Sequence, residues 1–152
     1  SFSCDLGAWL QIMEAYEGGG FGYHATLPTD SLRIFRDAIC ETENFGLEKA
    51  RTAQVELGRR VRTLLVAHGL PSVAAEGFTS PAVIVSYTAD PELKSGKKFA
   101  EAGLQVAAGV PLMCDEGEEF QTFRIGLFGL DKLQNIERTV TALDKALCRI
   151  IQ

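Results

Sequence analysis

The 152-residue sequence predicts an α/β sandwich in which an antiparallel or mixed sheet of about four strands is covered on one face by helices. Three observations carry this expectation. Apolar residues recur three and four apart near residues 5–16, 30–45, 47–68 and 131–150, the period of an amphipathic helix. Between residues 70 and 128 most runs become short, β-branched and bounded by Gly and Pro, which is how strands read. From residue 46 onward the order is then α-β-β-α-β-β-α, whereas residues 1–45 hold helix, glycine loop and helix without a strand. Two parts are expected: a complete small domain over 46–152, and over 1–45 a piece of another domain with no evident core of its own.

The elements follow in order. Leu6, Trp9, Leu10, Ile12 and Met13 share a helical face, and the glycine cluster Gly18–Gly20 stops that helix. Thr29 or Asp30 can cap a second helix bearing Leu32, Phe35, Ala38 and Ile39. A third runs over 47–68 with Ala50, Leu57, Val61, Leu64 and Leu65 as its stripe. Its charges (Arg51, Glu56, Arg59, Arg60, Arg62) read as a solvated face. Gly69 suits the left-handed position that closes it, and Pro71 cannot prolong it. "PSVAAEG" and "PAVIVSYTA" read as strands, 95–108 as a helix, and "VPLMC" and "EFQTFRIGLFG" as two more strands about the acidic turn "DEGEE". Asp131 is expected to cap a last helix striped by Leu133, Ile136, Val140, Leu143, Leu147 and Ile150.

Composition narrows the function. Hydrophobic residues make up 46% of the chain, enough for a core, and a net charge of -5 leaves no basic footprint for nucleic acid or an anionic membrane. No apolar run approaches the roughly 18 residues that span a bilayer, and no basic-then-apolar leader opens the sequence. Cys4, Cys40, Cys114 and Cys148 stand far apart without CxxC or Cys/His spacing, so neither a zinc site nor a disulfide framework is expected. Reduced thiols in a soluble, cytoplasmic protein are the reading. The sequence opens Ser-Phe-Ser-Cys-Asp, its first methionine being Met13, and a segment of a longer protein is expected.

"GFGYHA" fits GxGxxA at Gly20, Gly22 and Ala25, but a dinucleotide fingerprint follows a strand and opens a helix. Here a helix precedes and Pro28 interrupts, so a turn is expected instead. Of the two histidines, His68 falls at a helix C-terminus, where a cation favours the dipole, and neither it nor His24 has a nucleophile pattern around it. Arg124, inside "TFRIGLFG", sits where a buried strand is expected. It either reaches solvent from an edge strand, pairs with Glu118 or Glu119, or offers its fork to a carboxylate ligand.

"GYHATLP" followed by a capped helix, and "FRIGLFG" followed by "LDKLQNIERTVTALDKAL", resemble the C-terminal part of class V aminotransferases. These are pyridoxal-phosphate enzymes of fold type I, and the likeness is to their alanine–glyoxylate and serine–pyruvate group. "SFSCDLGAWL" also resembles the stretch a little downstream of the Schiff-base lysine there. The resemblance implies that 1–45 ends the large cofactor-binding domain and that 46–152 is the small domain. It implies that Tyr23 and Thr26 reach the cofactor phosphate in the partner subunit of a homodimer, and that Arg124 clamps the α-carboxylate of a small amino or keto acid. The family's lysine, its aspartate on the pyridine nitrogen and its stacking aromatic all lie upstream of this sequence. Lys49, Lys94, Lys97, Lys98, Lys132 and Lys145 do not match the lysine position, so the chain alone is expected to be inactive. The alternative is a non-catalytic α/β binding or dimerisation module.

Overall fold

The computed structural model describes residues 5–26 and 28–151, so Cys4 and Leu27 lie outside the described residues. The chain divides into two compact units, Ser1–Glu41 and Thr42–Gln152.

In the first unit, α1 (Leu6–Glu17) is capped by Asp5, whose carboxylate accepts the Ala8 N–H at 3.0 Å. It ends where the Gly18 N–H returns to the Glu14 carbonyl at 2.9 Å and Gly19 turns out at φ +78°. Helix α2 (Thr29–Phe45) starts directly after Pro28, whose carbonyl accepts from Leu32, and its last turn belongs to the second unit. Thr29 and Asp30, offered as alternative caps, are instead the first helical residues. Neither helix buries a residue, and Leu6, Leu10, Met13, Ile34 and Phe35 stand exposed.

The second unit is an α/β domain on one core. Helix α3 (Leu47–Ala67) lays Leu57, Val61 and Leu65 against it. The helix closes as the Gly69 pattern predicts: the Leu70 N–H reaches the Leu65 carbonyl at 2.9 Å and the Gly69 N–H reaches Val66 at 3.0 Å, with Gly69 at φ +75°. Strands β1 (Val83–Tyr87), β2 (Ala107–Ala108) and β3 (Thr122–Gly126) form an antiparallel sheet in the order β1-β3-β2. Ile84 pairs with Ile125 and Ser86 with Phe123, so one face of the central pair turns inward. Between the strands come α4 (Pro91–Lys94) and α5 (Lys97–Glu101), whose buried Phe99 meets the Phe123 ring at 5.0 Å between centroids. Helices α6 (Leu130–Gln134) and α7 (Ile136–Ile150) complete the layer, with Leu143 and Leu147 buried beside α3. Burying each such side chain contributes about 1.5–3 kcal/mol.

Four element expectations change. "PSVAAEG" shrinks to one bridge, Ser72 to Ser86, although the Tyr87 N–H bonds Pro71 and the Val73 N–H bonds Val85 at 2.9 Å each. Pro71 has no N–H to extend the ladder. "VPLMC" is no strand, because its amides at Leu112, Met113 and Cys114 are drawn to the Glu116 carboxylate, with Met113 at φ +60°. The helix expected over 95–108 ends early, at Gly103 (φ +81°), which frees Ala107 and Ala108 to pair with β3. The last helix is not capped by Asp131: it starts at Leu130 and breaks at Asn135, whose side-chain amide bonds the Asp131 carbonyl at 2.9 Å. Three strands are thus found among the described residues, with the bridge standing where a fourth was expected.

Candidate functional site

Arg124 occupies the central strand, opposite Val85 on one side and Ala107 on the other, and these three share the sheet face away from Phe123 and Ile125. Its side chain is therefore not at an edge. Its Nε donates to the Ala108 carbonyl at 2.9 Å, which fixes the guanidinium plane and leaves the two terminal nitrogens free of that bond. Among the described residues no ion pair includes Arg124, so neither Glu118 nor Glu119 neutralises it. A fixed, half-buried guanidinium without a carboxylate suits an incoming one.

In the first unit, Tyr23 and Thr26 sit on the loop between α1 and α2. Their hydroxyls lie 3.0 Å apart and either can donate to the other. Tyr23 is 78% exposed, so the pair faces outward rather than into a core. His24, between them, sets its ring edge-on to Trp9 at 5.2 Å. The loop borders an open cleft of about 700 Å³ lined by Trp9, Met13, Tyr16, Tyr23 and Thr26 among others. The "GFGYHA" stretch follows α1 and stands clear of the N-terminus of α2, which is not where a dinucleotide loop sits.

Several lysines have partners that oppose nucleophilic chemistry. Lys97 holds Glu92 and Lys98 holds Asp90, each at 2.5 Å, and these carboxylate bonds raise both amine pKa values. An amine that attacks a carbonyl needs the opposite shift. Lys132 donates to the Phe128 carbonyl at 2.7 Å, and Lys49 lies over the Phe45 ring.

Two arrangements escaped sequence reasoning. Glu116 accepts three successive backbone N–H groups, which hold its carboxyl down at about pKa 2. The only cue was an acidic residue in a turn, which is common. The second is a cluster on α3 and α7. His68 takes the expected C-terminal position of α3, but its Nε2 meets Asp144 Oδ1 at 2.8 Å and Cys148 Sγ lies 3.9 Å from the same oxygen. No local spacing announces it.

No family model matches the chain, and no curated protein does. Solved structures do. An alanine–glyoxylate aminotransferase from Nostoc sp. superposes with a TM-score of 0.67 at 18% identity, over 91% of this chain and 36% of that one. A ureidoglycine–glyoxylate aminotransferase from Bacillus subtilis gives 0.66 at 20% identity, over 92% and 36%. At this identity the likeness is one of fold. The chain spans about a third of the length of each of these enzymes.

Proposed function

We propose that this chain is the C-terminal part of a pyridoxal-phosphate-dependent aminotransferase that moves an amino group between a small amino acid and a small keto acid such as glyoxylate or pyruvate. The observation that carries the reading is Arg124, a guanidinium anchored through Nε to Ala108 with no carboxylate of its own among the described residues. The fold shared with two glyoxylate aminotransferases supports it.

Arg124 binds the substrate α-carboxylate by its two terminal nitrogens, and the Ala108 bond keeps the fork from turning. Holding the carboxylate fixes the direction of the Cα–H bond, which lowers the barrier by orientation. Tyr23 and Thr26 offer two adjacent exposed hydroxyls, a donor set that fits phosphate oxygens reaching them from the partner subunit of a homodimer. When bound, pyridoxal phosphate supplies the electron-withdrawing ring that stabilises negative charge at Cα. The residues here fit only its phosphate end. The anchoring lysine belongs to the large domain, whose end is residues 1–45, and residues 46–152 are the small domain. The chain alone is inactive. The compartment in this reading is the cytoplasm.

The test is an aminotransferase assay on the product of the complete reading frame, with alanine or serine as donor and glyoxylate or pyruvate as acceptor. Arg124→Ala should lower kcat/KM by about 2–3 kcal/mol of transition-state binding, roughly 30- to 150-fold, while cofactor content stays unchanged. Unchanged kcat/KM in that variant refutes the carboxylate role. A complete product with no lysine-bound cofactor refutes the enzyme.

A further inference from the structure

We propose that His68, Asp144 and Cys148 form a three-ligand site for a thiophilic divalent cation, with zinc the best chemical match. The three donor atoms lie within 4.8 Å of one another and come from two helices of the second unit. The site is independent of Arg124 and of the aminotransferase reading.

The geometry is that of ligands around a small ion. Zinc sits about 2.0–2.1 Å from nitrogen, about 2.0–2.2 Å from oxygen and about 2.3 Å from sulfur, so tetrahedral ligands lie roughly 3.3–3.7 Å apart. Here the nitrogen–oxygen separation is 2.8 Å and the sulfur–oxygen separation 3.9 Å. An ion centred among them lengthens the first by about half an ångström and shortens the second by less, both within the reach of side-chain torsions.

The backbone holds the donors in place. Asp144 and Cys148 are four apart on α7 and so project from one face. His68 is fixed by the closure of α3, where its N–H bonds the Leu64 and Leu65 carbonyls at 3.1 Å each. Buried Leu65 and Leu147 belong to the core that joins the two helices, so the ligands approach one another as the unit folds. His68 is largely covered and Cys148 is exposed, which leaves an entry path and room for a solvent molecule as fourth ligand.

The donor set selects the ion. One imidazole nitrogen, one thiolate and one carboxylate suit zinc, whereas magnesium and calcium prefer oxygen alone. In the ion-free state His68 Nε2 is hydrogen-bonded to Asp144 Oδ1. The cation takes the place of that hydrogen bond, with the imidazole nitrogen, the Asp144 carboxylate and the Cys148 thiolate as its ligands. The bound ion then clamps the end of α3 to α7.

The experiment is a titration of the reduced full chain with cobalt(II), followed by zinc. One equivalent of cobalt should raise a thiolate-to-cobalt charge-transfer band, zinc should bleach it, and zinc should raise Tm. Cys148→Ser should abolish both the band and the rise in Tm. His68→Gln should weaken cobalt binding by at least about tenfold. Absence of the band in the unaltered chain overturns the proposal and leaves a plain His–Asp pair. A band of full strength in Cys148→Ser overturns it too, since another thiol then holds the ion. Circular dichroism checks each variant, and Cys148→Ala carries the same test should Cys148→Ser not fold.

Discussion

Gly58, in the middle of α3, lies directly against Pro81: a Cβ at residue 58 would stand 2.5 Å from the Pro81 carbonyl oxygen and 2.7 Å from its Cα. One turn earlier, Gln54 donates its side-chain amide to the same carbonyl at 2.9 Å. The helix and the approach to β1 touch backbone to backbone here, and no Cβ fits between them.

Gly58→Ala should therefore destabilise the second unit. Alanine favours a helix interior over glycine by about 1 kcal/mol, but overpacking against rigid backbone costs about 3 kcal/mol at the upper end. A net loss of about 2 kcal/mol is expected. Denaturant unfolding of the variant checks it, and equal or higher stability would show that the Pro81 segment yields.

Ser86 presents the opposite case. Its side chain is fully buried in β1, and among the described residues its hydroxyl has no hydrogen-bond partner. Ser86→Ala removes a desolvated polar atom at the cost of a small void, and should raise stability by about 1 kcal/mol. A fall of similar size in thermal unfolding would mean that the hydroxyl is satisfied.

Glu116 predicts a pH dependence. Its pKa, about 2 in the fold, lies below the ordinary 4.5 because the N–H groups of residues 112–114 bond the charged form. The stabilisation it brings is complete above about pH 4.5 and is lost as pH falls toward 2. NMR titration should give a Glu116 midpoint near 2, and Glu116→Gln should remove the acid-induced opening of loop 112–116. A midpoint at the ordinary value refutes the amide nest.

Arg124→Lys separates charge from shape at the proposed substrate site. Lysine keeps the positive charge but loses both the bidentate fork and the Nε bond to Ala108. The full-length enzyme should show a raised KM for both acid substrates, intermediate between the unaltered protein and Arg124→Ala. Steady-state kinetics decide it, and a KM equal to that of the unaltered enzyme would mean that the fork is not used.

Much of this was legible in the linear pattern. The stripe Leu57, Val61, Leu65 and the glycine at residue 69 located α3 and its end, because both depend on contacts within one or two turns. "PAVIVSYTA" and "TFRIG" read as strands for the same reason. The failures share a cause as well. Leu112–Cys114 looked β-like, yet a carboxylate two to four residues away competed for its amides. Ala107–Ala108 looked helical, yet Gly103 ended the helix and β3 offered a partner. Local preference yields wherever a hydrogen bond from elsewhere is better.

The sites divide along the same line. Sequence alone marked Arg124, since an arginine in an apolar strand is an anomaly visible in a short window, whereas Tyr23 and Thr26 entered only through the resemblance of "GYHATLP" to the class V aminotransferases. Tertiary structure decided that Arg124 stands on the central strand rather than at an edge, because β2 pairs on its far side. It also brought His68 to Asp144, 76 positions away, and Asp144 carries Cys148 four residues further on. No spacing rule reaches that far: burying Leu65 and Leu147 in one core is what draws those donors together.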